Sequence, residues 1–236
     1  MVQAVIVNGQ WKWPETSPHL LEIQRQTRDI PISPCSNCIY WESVGLSFSS
    51  KAAWDSMRDS APTVEWANLV WHPSRISKHA FCLWLAILDS HRTRDKLLPL
   101  GIVPSARCSF NCEDNESVEN LFFSCPYSQL IWQMVLGMCN IHRQILPWPL
   151  EIQWMVIHTR GNCLPHMIRK LAFGATVYHL WMERNRRSFN SRFLPQESII
   201  GKIQGDVAAK LVWHMSAFTH TNYHIHSFGC NWGLFC

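Results

Sequence analysis

The sequence predicts a mainly α-helical protein, in which a small helical domain surrounds a cysteine-rich loop and two longer amphipathic helices follow it. Three observations support this fold class. Apolar residues recur at helical spacing in several stretches, Ser and Pro residues stand where helices would begin, and three of the ten cysteines fall within Cys108–Cys125.

The composition is that of a globular protein. The chain has 236 residues, of which 47% are hydrophobic and 13 are Trp, so it can bury a substantial core. Its net charge is only +4, so any contact with nucleic acid would need a local basic patch.

The N-terminal residues MVQAVIVNGQW have no basic lead and only a short apolar run, so we predict no secretory signal. No stretch reaches the roughly 18 apolar residues of a membrane span, and we predict no membrane partner. We expect an intracellular location, the nucleus included. In that reducing setting the cysteines are expected to be free thiols or metal ligands rather than disulfides.

Composition and helix breakers divide the chain into four predicted parts. Residues 1–47 are rich in Pro, Ser and Trp and are expected to be irregular with short strands. Residues 48–146 form the predicted cysteine-containing domain, and residues 147–216 form a helical C-terminal region that begins at a Pro-Trp-Pro break. Residues 217–236 have no pattern and are predicted to be an unstructured tail.

Within the second part, helix starts are marked by their first residues. Ser49 or Ser50 is placed to cap a short helix. Ser77–Leu88 is apolar nearly all round, which predicts a helix buried on most faces. Thr93 is a predicted cap for the next helical segment, and Pro126 suits the first position of a new helix after the cysteines.

The third part contains the two longer amphipathic helices. In the first, six residues recur at the spacing of one helix face, namely Ile168, Leu171, Ala172, Ala175, His179 and Met182. The second is predicted over Gln196–Met215.

The three cysteines have the spacing of most of a zinc site. Zinc takes four thiolate or imidazole ligands in a tetrahedron, and a C-x(2–4)-C pair supplies one edge of it. Cys108 and Cys112 fit that pair, and Cys125 fits a third ligand carried by a helix. A histidine about one turn before Cys125 would complete the set, but that position is Asn120.

Several landmarks in a fixed order carry a family resemblance. They are W-x(4)-W, KHAFCLWLAI, TRDKL, the cysteine pair, ES-x-x-N-LFF-x-C-P and IW, over roughly residues 48–135. This order resembles the zinc-binding domain that follows the polymerase in the reverse transcriptases of plant non-LTR (LINE) retrotransposons. The flanking stretches NGQW and LWMERNRRSF resemble retroelement sequence as well.

The resemblance implies that Cys108, Cys112 and Cys125 are zinc ligands, in a degenerate zinc-knuckle-like loop. The family pattern is C-x2-C followed by E-T-x-x-H-L-F-x-x-C, so Asn120 stands where the family has histidine, and the cysteine pair has one additional residue between its members. An amide is a poor zinc donor beside thiolates.

The fourth position therefore has several candidates: water, Glu119, Asp114 or His91. The alternative is that zinc is absent and the three reduced cysteines pack as small apolar groups.

Other groups of Cys and His have weaker support. Cys35 and Cys38 have redox or metal spacing, but they lie in a predicted loop with no second pair close by in sequence. A further set crowds the tail, namely His220, His224, His226 and Cys230. We predict that the tail is solvated and not a rigid metal site.

Arg184, Arg186 and Arg187 lie at the end of a predicted helix, where cations complement the helix dipole. The same residues could contact phosphate, so we predict weak nucleic-acid binding through them, while protein partners stay open. Several Trp residues, Trp54 and Trp71 among them, could stack bases but are predicted to be core.

The sequence gives little support for catalysis. Polymerase and RNase H chemistry need clustered carboxylates for two metal ions, and the seven aspartates are scattered. The resulting hypothesis is a non-catalytic relic of a retrotransposon reverse transcriptase zinc-binding domain, which binds zinc and nucleic acid. The alternative is a metal-free helical structural or interaction protein without retained retroelement activity.

Overall fold

The computed structural model describes residues 5–8, 10–14, 17–32, 49–59, 61–161, 163–215 and 231–233. Within these residues the chain divides into two compact units, Met1–Pro62 and Thr63–Cys236. The four-part division expected from the sequence stays a prediction. Among the described helices, none combines the length and the apolar character needed to cross a bilayer.

The first unit contains a small antiparallel hairpin and two helices. Strands β1 (Ile6–Val7) and β2 (Gln10–Trp11) pair in the register Ile6 to Trp11. Helix α1 (Pro18–Thr27), which the sequence pattern did not predict, begins with Pro at its first position. Helix α2 (Ser50–Met57) is capped by Ser49, whose hydroxyl accepts a hydrogen bond from the backbone N–H of Ala52, as predicted.

The named elements among the described residues of the second unit are all helical, which confirms the predicted mainly α fold class. Its elements are α3 (Ala67–Val70), α4 (Ser77–Ile87), α5 (Arg94–Leu97), a π-helical turn (Asn120–Ser124), α6 (Pro126–Met138), α7 (Trp148–His158), α8 (Leu164–Asn190) and α9 (Gln196–Met215). Helix α6 begins at Pro126 and α9 has the bounds that the sequence predicted.

Helix α8 is the centre of this unit and packs against α4, α6, α7, α9 and the π-turn. Most of its buried positions are apolar, and Phe173 lies among Phe123, Trp132 and Trp148 with ring centroids 5.4–5.9 Å apart. Burial of such rings is the main source of stability in a helical core. Trp232, in the predicted tail, is also buried in this core.

Three buried glutamates are each paired with at least one arginine. Glu151 accepts a hydrogen bond from the Trp132 indole at 2.9 Å and pairs with Arg143. Glu183 and Glu116 pair with arginines of α8. A buried carboxylate needs such partners because an unpaired charge in the core is costly.

Some local expectations were wrong. The Thr93 hydroxyl makes no capping hydrogen bond, although Thr93 does precede α5. Trp54 and Trp71 are 60% and 43% exposed rather than core. Helix α8 runs on to Asn190, so of the three arginines only Arg187 lies in its last turn.

Candidate metal centre

The segment that carries Cys108 and Cys112 is a short hairpin. An antiparallel bridge joins Arg107 to Asn115, and the backbone N–H of Cys108 donates to the carbonyl of Asp114 at 3.1 Å. Asn111 takes a left-handed conformation with φ of 62°, which Asn tolerates better than most residues. The longer cysteine pair therefore still turns back tightly enough to return Cys112 to Cys108.

Cys125 is positioned by the junction of two helical turns. The Ser117 hydroxyl accepts a hydrogen bond from the Asn120 N–H at 3.0 Å and so caps the helical turn before Cys125. The following residues form the π-turn, closed by a bond of 2.9 Å from the Cys125 N–H to the Asn120 carbonyl. Cys125 then precedes Pro126, so its thiol lies at the N-terminal end of α6. Single π-turns of this kind are frequent at functional sites.

These elements bring the three sulfurs together, and we call Cys108, Cys112 and Cys125 the cysteine cluster. Their Sγ atoms all lie within 4.8 Å of one another, and those of Cys108 and Cys125 are 3.9 Å apart. Zinc–sulfur bonds of about 2.3 Å in a tetrahedron place sulfurs about 3.8 Å apart. Cys108 and Cys125 are buried and Cys112 is half-buried, so the cluster has the spacing of a zinc site with one side toward solvent.

The cluster's hydrogen bonds favour negative charge on one sulfur, that of Cys125. The Cys108 thiol donates to Cys125, which raises the pKa of Cys108, and burial raises it further. The same hydrogen bond lowers the pKa of Cys125, and the backbone N–H of Tyr127 adds to that effect. The Phe110 N–H donates to the Cys108 sulfur at 3.4 Å. Thiolates are the form in which cysteine binds metal.

Asn120 occupies the fourth side of the cluster. Its side chain is buried, and its amide Nδ2 donates to the Cys112 sulfur at 3.4 Å. Among the described residues, the group of Cys, His, Asp and Glu ligand atoms within 4.8 Å contains only the three cysteines, so Glu119 and Asp114 are not part of it. His91 is engaged elsewhere, since its Nε2 lies 3.0 Å from the carbonyl of Cys82.

Glu116 fastens the cysteine hairpin to the core. Its Oε2 accepts from the backbone N–H of Ser109 at 3.2 Å and from the Ser109 hydroxyl. Its Oε1 accepts from the Arg184 guanidinium at 2.9 and 2.7 Å and from the Arg94 N–H at 3.0 Å. Glu116 therefore caps α5, holds the residue next to Cys108 and neutralises a buried arginine of α8. The sequence pattern did not predict this role of Glu116, although Glu116 is the Glu of the ES motif.

The three arginines predicted to contact nucleic acid are all engaged within the protein. Arg184 is buried in the pair with Glu116. Arg186 and Arg187 both pair with Glu183 at 2.8 Å, and their side chains are 28% and 8% exposed. The structure thus leaves Arg186 as the most accessible of the three, and nucleic-acid contact through them stays a prediction. The candidate residues Cys35 and Cys38, and the tail residues His220, His224, His226 and Cys230, lie outside the described residues.

Comparison with known proteins finds a family match over part of the chain. Residues 48–132 match the model of the family described as zinc-binding in reverse transcriptase. The match contains all three cysteines, Glu116 and Asn120, and the catalytic domain of a reverse transcriptase is not matched. No curated protein and no solved structure matches the chain.

Proposed function

We propose, from the premise that residues 48–132 belong to the family of zinc-binding domains in reverse transcriptases, that the chain is a non-catalytic zinc-binding module. Zinc is held by Cys108, Cys112 and Cys125. The observation that carries this proposal is the spacing of the three sulfurs, all within 4.8 Å and with Cys108 and Cys125 3.9 Å apart.

The chemistry of the donors fits zinc. Three thiolates supply soft ligands, and Asn120 or a water completes the tetrahedron. The bound ion supplies a cross-link between the hairpin of Cys108 and Cys112 and the start of α6 at Cys125. Because the ligands come together only in the folded chain, the free energy of zinc binding adds to the free energy of folding.

The absence of the family's histidine supports the further proposal that the chain is a relic of a retrotransposon reverse transcriptase. With Asn120 in its place the site is degenerate, which fits a relic of a plant non-LTR (LINE) retrotransposon that no longer depends on tight zinc binding. Assistance in nucleic-acid binding is the role that the resemblance implies. The buried carboxylates favour the non-catalytic reading, because Glu116, Glu151 and Glu183 each bind arginine and present no free oxygen for a pair of metal ions.

The proposal is tested by the zinc content of the purified full chain and of two cysteine variants. Cys125→Ser removes a ligand from the centre of the cluster and should lower bound zinc by one equivalent. Cys163→Ser is the matched control, since Cys163 is an exposed free cysteine outside the cluster, and should keep the wild-type content.

Equal zinc content in the wild type and Cys125→Ser would overturn the proposal. The three cysteines would then be small apolar core residues, as in the alternative of a metal-free helical structural or interaction protein.

A further inference from the structure

A second group of metal-type side chains lies where α4, α8 and α9 meet. His79 of α4, His179 of α8 and Asp206 of α9 offer ligand atoms that all lie within 4.8 Å of one another. We call these residues the histidine cluster. The Asp206 Oδ2 lies 2.9 Å from the Nε2 of His179 and 3.0 Å from the Nε2 of His79. His179 and Asp206 lie beyond the segment that matches the family.

His79 has an unusual environment for a polar side chain. It is 2% exposed, and its Nδ1 has no hydrogen-bond partner. Its Nε2 lies 3.0 Å from the Asp206 carboxylate, a contact that is an ion pair only when the imidazole is protonated. A buried polar atom without a partner costs roughly 1–3 kcal/mol, and such a cost calls for an explanation such as a functional role of the side chain.

The three donors have the chemistry of a metal site. Two imidazoles and one carboxylate are a common ligand set for borderline divalent ions such as zinc. Metal–ligand bonds of about 2.0–2.2 Å in a tetrahedron separate the ligand atoms by about 3.4 Å. The observed 2.9 and 3.0 Å therefore need to open by a few tenths of an ångström to admit an ion.

The cluster is accessible from one side. His179 and Asp206 line a shallow surface depression together with Lys78, Tyr178, Met182, Arg186, Lys202 and Gly205. Lys78 lies 3.6 Å from the Asp206 carboxylate and 5.0 Å from the centre of the Tyr178 ring. An ion at the cluster would have to displace Lys78 from Asp206, and the lysines would then favour an anionic fourth ligand.

We propose that His79, His179 and Asp206 form a second metal site, which binds a borderline divalent ion such as zinc through three protein ligands. The fourth coordination position faces the depression and is open to a small anion or water. This site is independent of the cysteine cluster, with which it shares no residue.

The test is a cobalt(II) titration of the full chain, because cobalt distinguishes the two clusters by their ligands. Cobalt bound to thiolates gives an intense sulfur-to-metal charge-transfer absorbance, whereas cobalt bound only to nitrogen and oxygen gives weak d–d bands. The wild type should bind one equivalent of cobalt through nitrogen and oxygen ligands, in addition to any thiolate-bound cobalt.

Asp206→Asn and His179→Gln should each lower the affinity for this cobalt by about 100-fold or more, since losing even an outer-shell partner of a metal ligand costs 10–100-fold. His142→Gln, an exposed histidine of the same unit, is the matched control and should bind as the wild type does.

Unchanged d–d binding in both Asp206→Asn and His179→Gln would overturn the proposal and leave the cluster as an internal polar network. The Cys125→Ser variant separates this outcome from the fate of the proposed function, because it removes the thiolate-bound cobalt with its charge-transfer band and leaves His79, His179 and Asp206 unchanged. If either variant fails to fold, the wild-type protein still decides the matter: zinc should shift the imidazole nitrogen signals of His79 and His179 in NMR spectra, and unshifted signals would overturn the site.

Discussion

The cysteine cluster and the histidine cluster have similar distances between their ligand atoms, but their residues are distributed differently along the sequence. Each brings three ligand-type atoms within 4.8 Å. The cysteines lie between residues 108 and 125, on one hairpin and the turn that follows it. The histidine cluster draws on residues 79, 179 and 206, which belong to three different helices. Local spacing therefore revealed the first cluster, while only the packing of α4, α8 and α9 creates the second.

The cysteine cluster is nevertheless not a purely local structure. Its hairpin is held by Glu116, whose partner Arg184 comes from α8, beyond the segment that matches the family. The folded unit that supports the cysteines is thus larger than residues 48–132. The dependence of the cysteine hairpin on α8 can be tested by breaking the pair between Glu116 and Arg184.

The largest expected effect is at the Glu116–Arg184 pair. Glu116→Gln keeps the shape of the side chain but leaves Arg184 buried without its counter-charge, and breaking a buried pair in this way costs about 3–5 kcal/mol. We expect the free energy of unfolding, measured by urea denaturation in chelator, to fall by that amount. Zinc affinity should fall too, because Ser109 loses its charged acceptor.

Arg186→Ala is the matched control for that experiment. Arg186 lies two residues further along α8 in a more exposed pair with Glu183, and Glu183 keeps its bond to Arg187. Glu183 is fully buried but stays paired, so we expect Arg186→Ala to lower the free energy of unfolding by about 1 kcal/mol at most. Similar losses in Glu116→Gln and Arg186→Ala would show that the hairpin does not depend on α8.

Much of the helical fold could be predicted from sequence because its signals are local. Pro126 marks the start of α6, Ser49 caps α2, and the bounds of α9 follow from its apolar spacing. The cap of α5 could not be predicted in the same way, since the acceptor is Glu116 and not the adjacent Thr93. That choice depends on a tertiary contact, which a cap pattern does not contain.

The candidate site also combines features that could be predicted from local sequence with features that depend on tertiary contacts. The grouping of Cys108, Cys112 and Cys125 follows from their spacing and the resemblance, and the structure brings Asn120 to the same place. The buried state of Arg184 could not be predicted, because a cation near a helix end is usually solvated. Burial of Arg184 becomes favourable only because Glu116 arrives from the hairpin. His79 and Asp206 had no sequence signal, because nothing in the pattern fixes which helix faces meet.

A pH titration should separate two buried histidines. Burial lowers the pKa of His79 and of His91 to about 4, below the value of about 6.5 expected for the unfolded chain. Between these values the unfolded chain binds more protons, so stability falls as the pH falls from about 6.5 to about 4. Each histidine contributes up to about 3 kcal/mol of this loss, and neither contributes to a change above about pH 6.5.

The measurement is the free energy of unfolding in chelator at several pH values. His91→Gln retains a donor for the Cys82 carbonyl and should remove its share of the loss, whereas His158→Gln, at an exposed position, should not. Repeating the series in zinc sharpens the comparison of the clusters. Protons and zinc then compete for His79, so acid should become more destabilising in the wild type, while the share of His91 should stay the same.

The next prediction concerns the ligand that the cysteine cluster lacks. Asn120 lies against Cys112, so Asn120→His places an imidazole on the open side of the three sulfurs. Zinc affinity should rise by about tenfold or more, which corresponds to about 1.4 kcal/mol, and the melting temperature in zinc should rise with it. Competition against a chromophoric chelator measures the affinity, and Asn140→His, in the loop after α6, is the control. Equal affinities for wild type and Asn120→His would mean that the hairpin no longer presents its cysteines to a fourth ligand.

The smallest expected effect is on nucleic-acid binding. Of the three arginines only Arg186 has substantial exposure, because Arg184 and Arg187 are held in buried pairs. We therefore expect Arg186→Ala to account for the accessible part of the phosphate contact. Binding to a fluorescent DNA duplex should be weak and indifferent to sequence. In Arg186→Ala, the slope of log affinity against log salt concentration should become shallower by about 0.9, the value for one phosphate. Arg160→Ala, an exposed arginine after α7, should leave the slope unchanged. If Arg186→Ala leaves it unchanged as well, the arginines of α8 serve the fold alone, and the contact to nucleic acid must be sought on another surface.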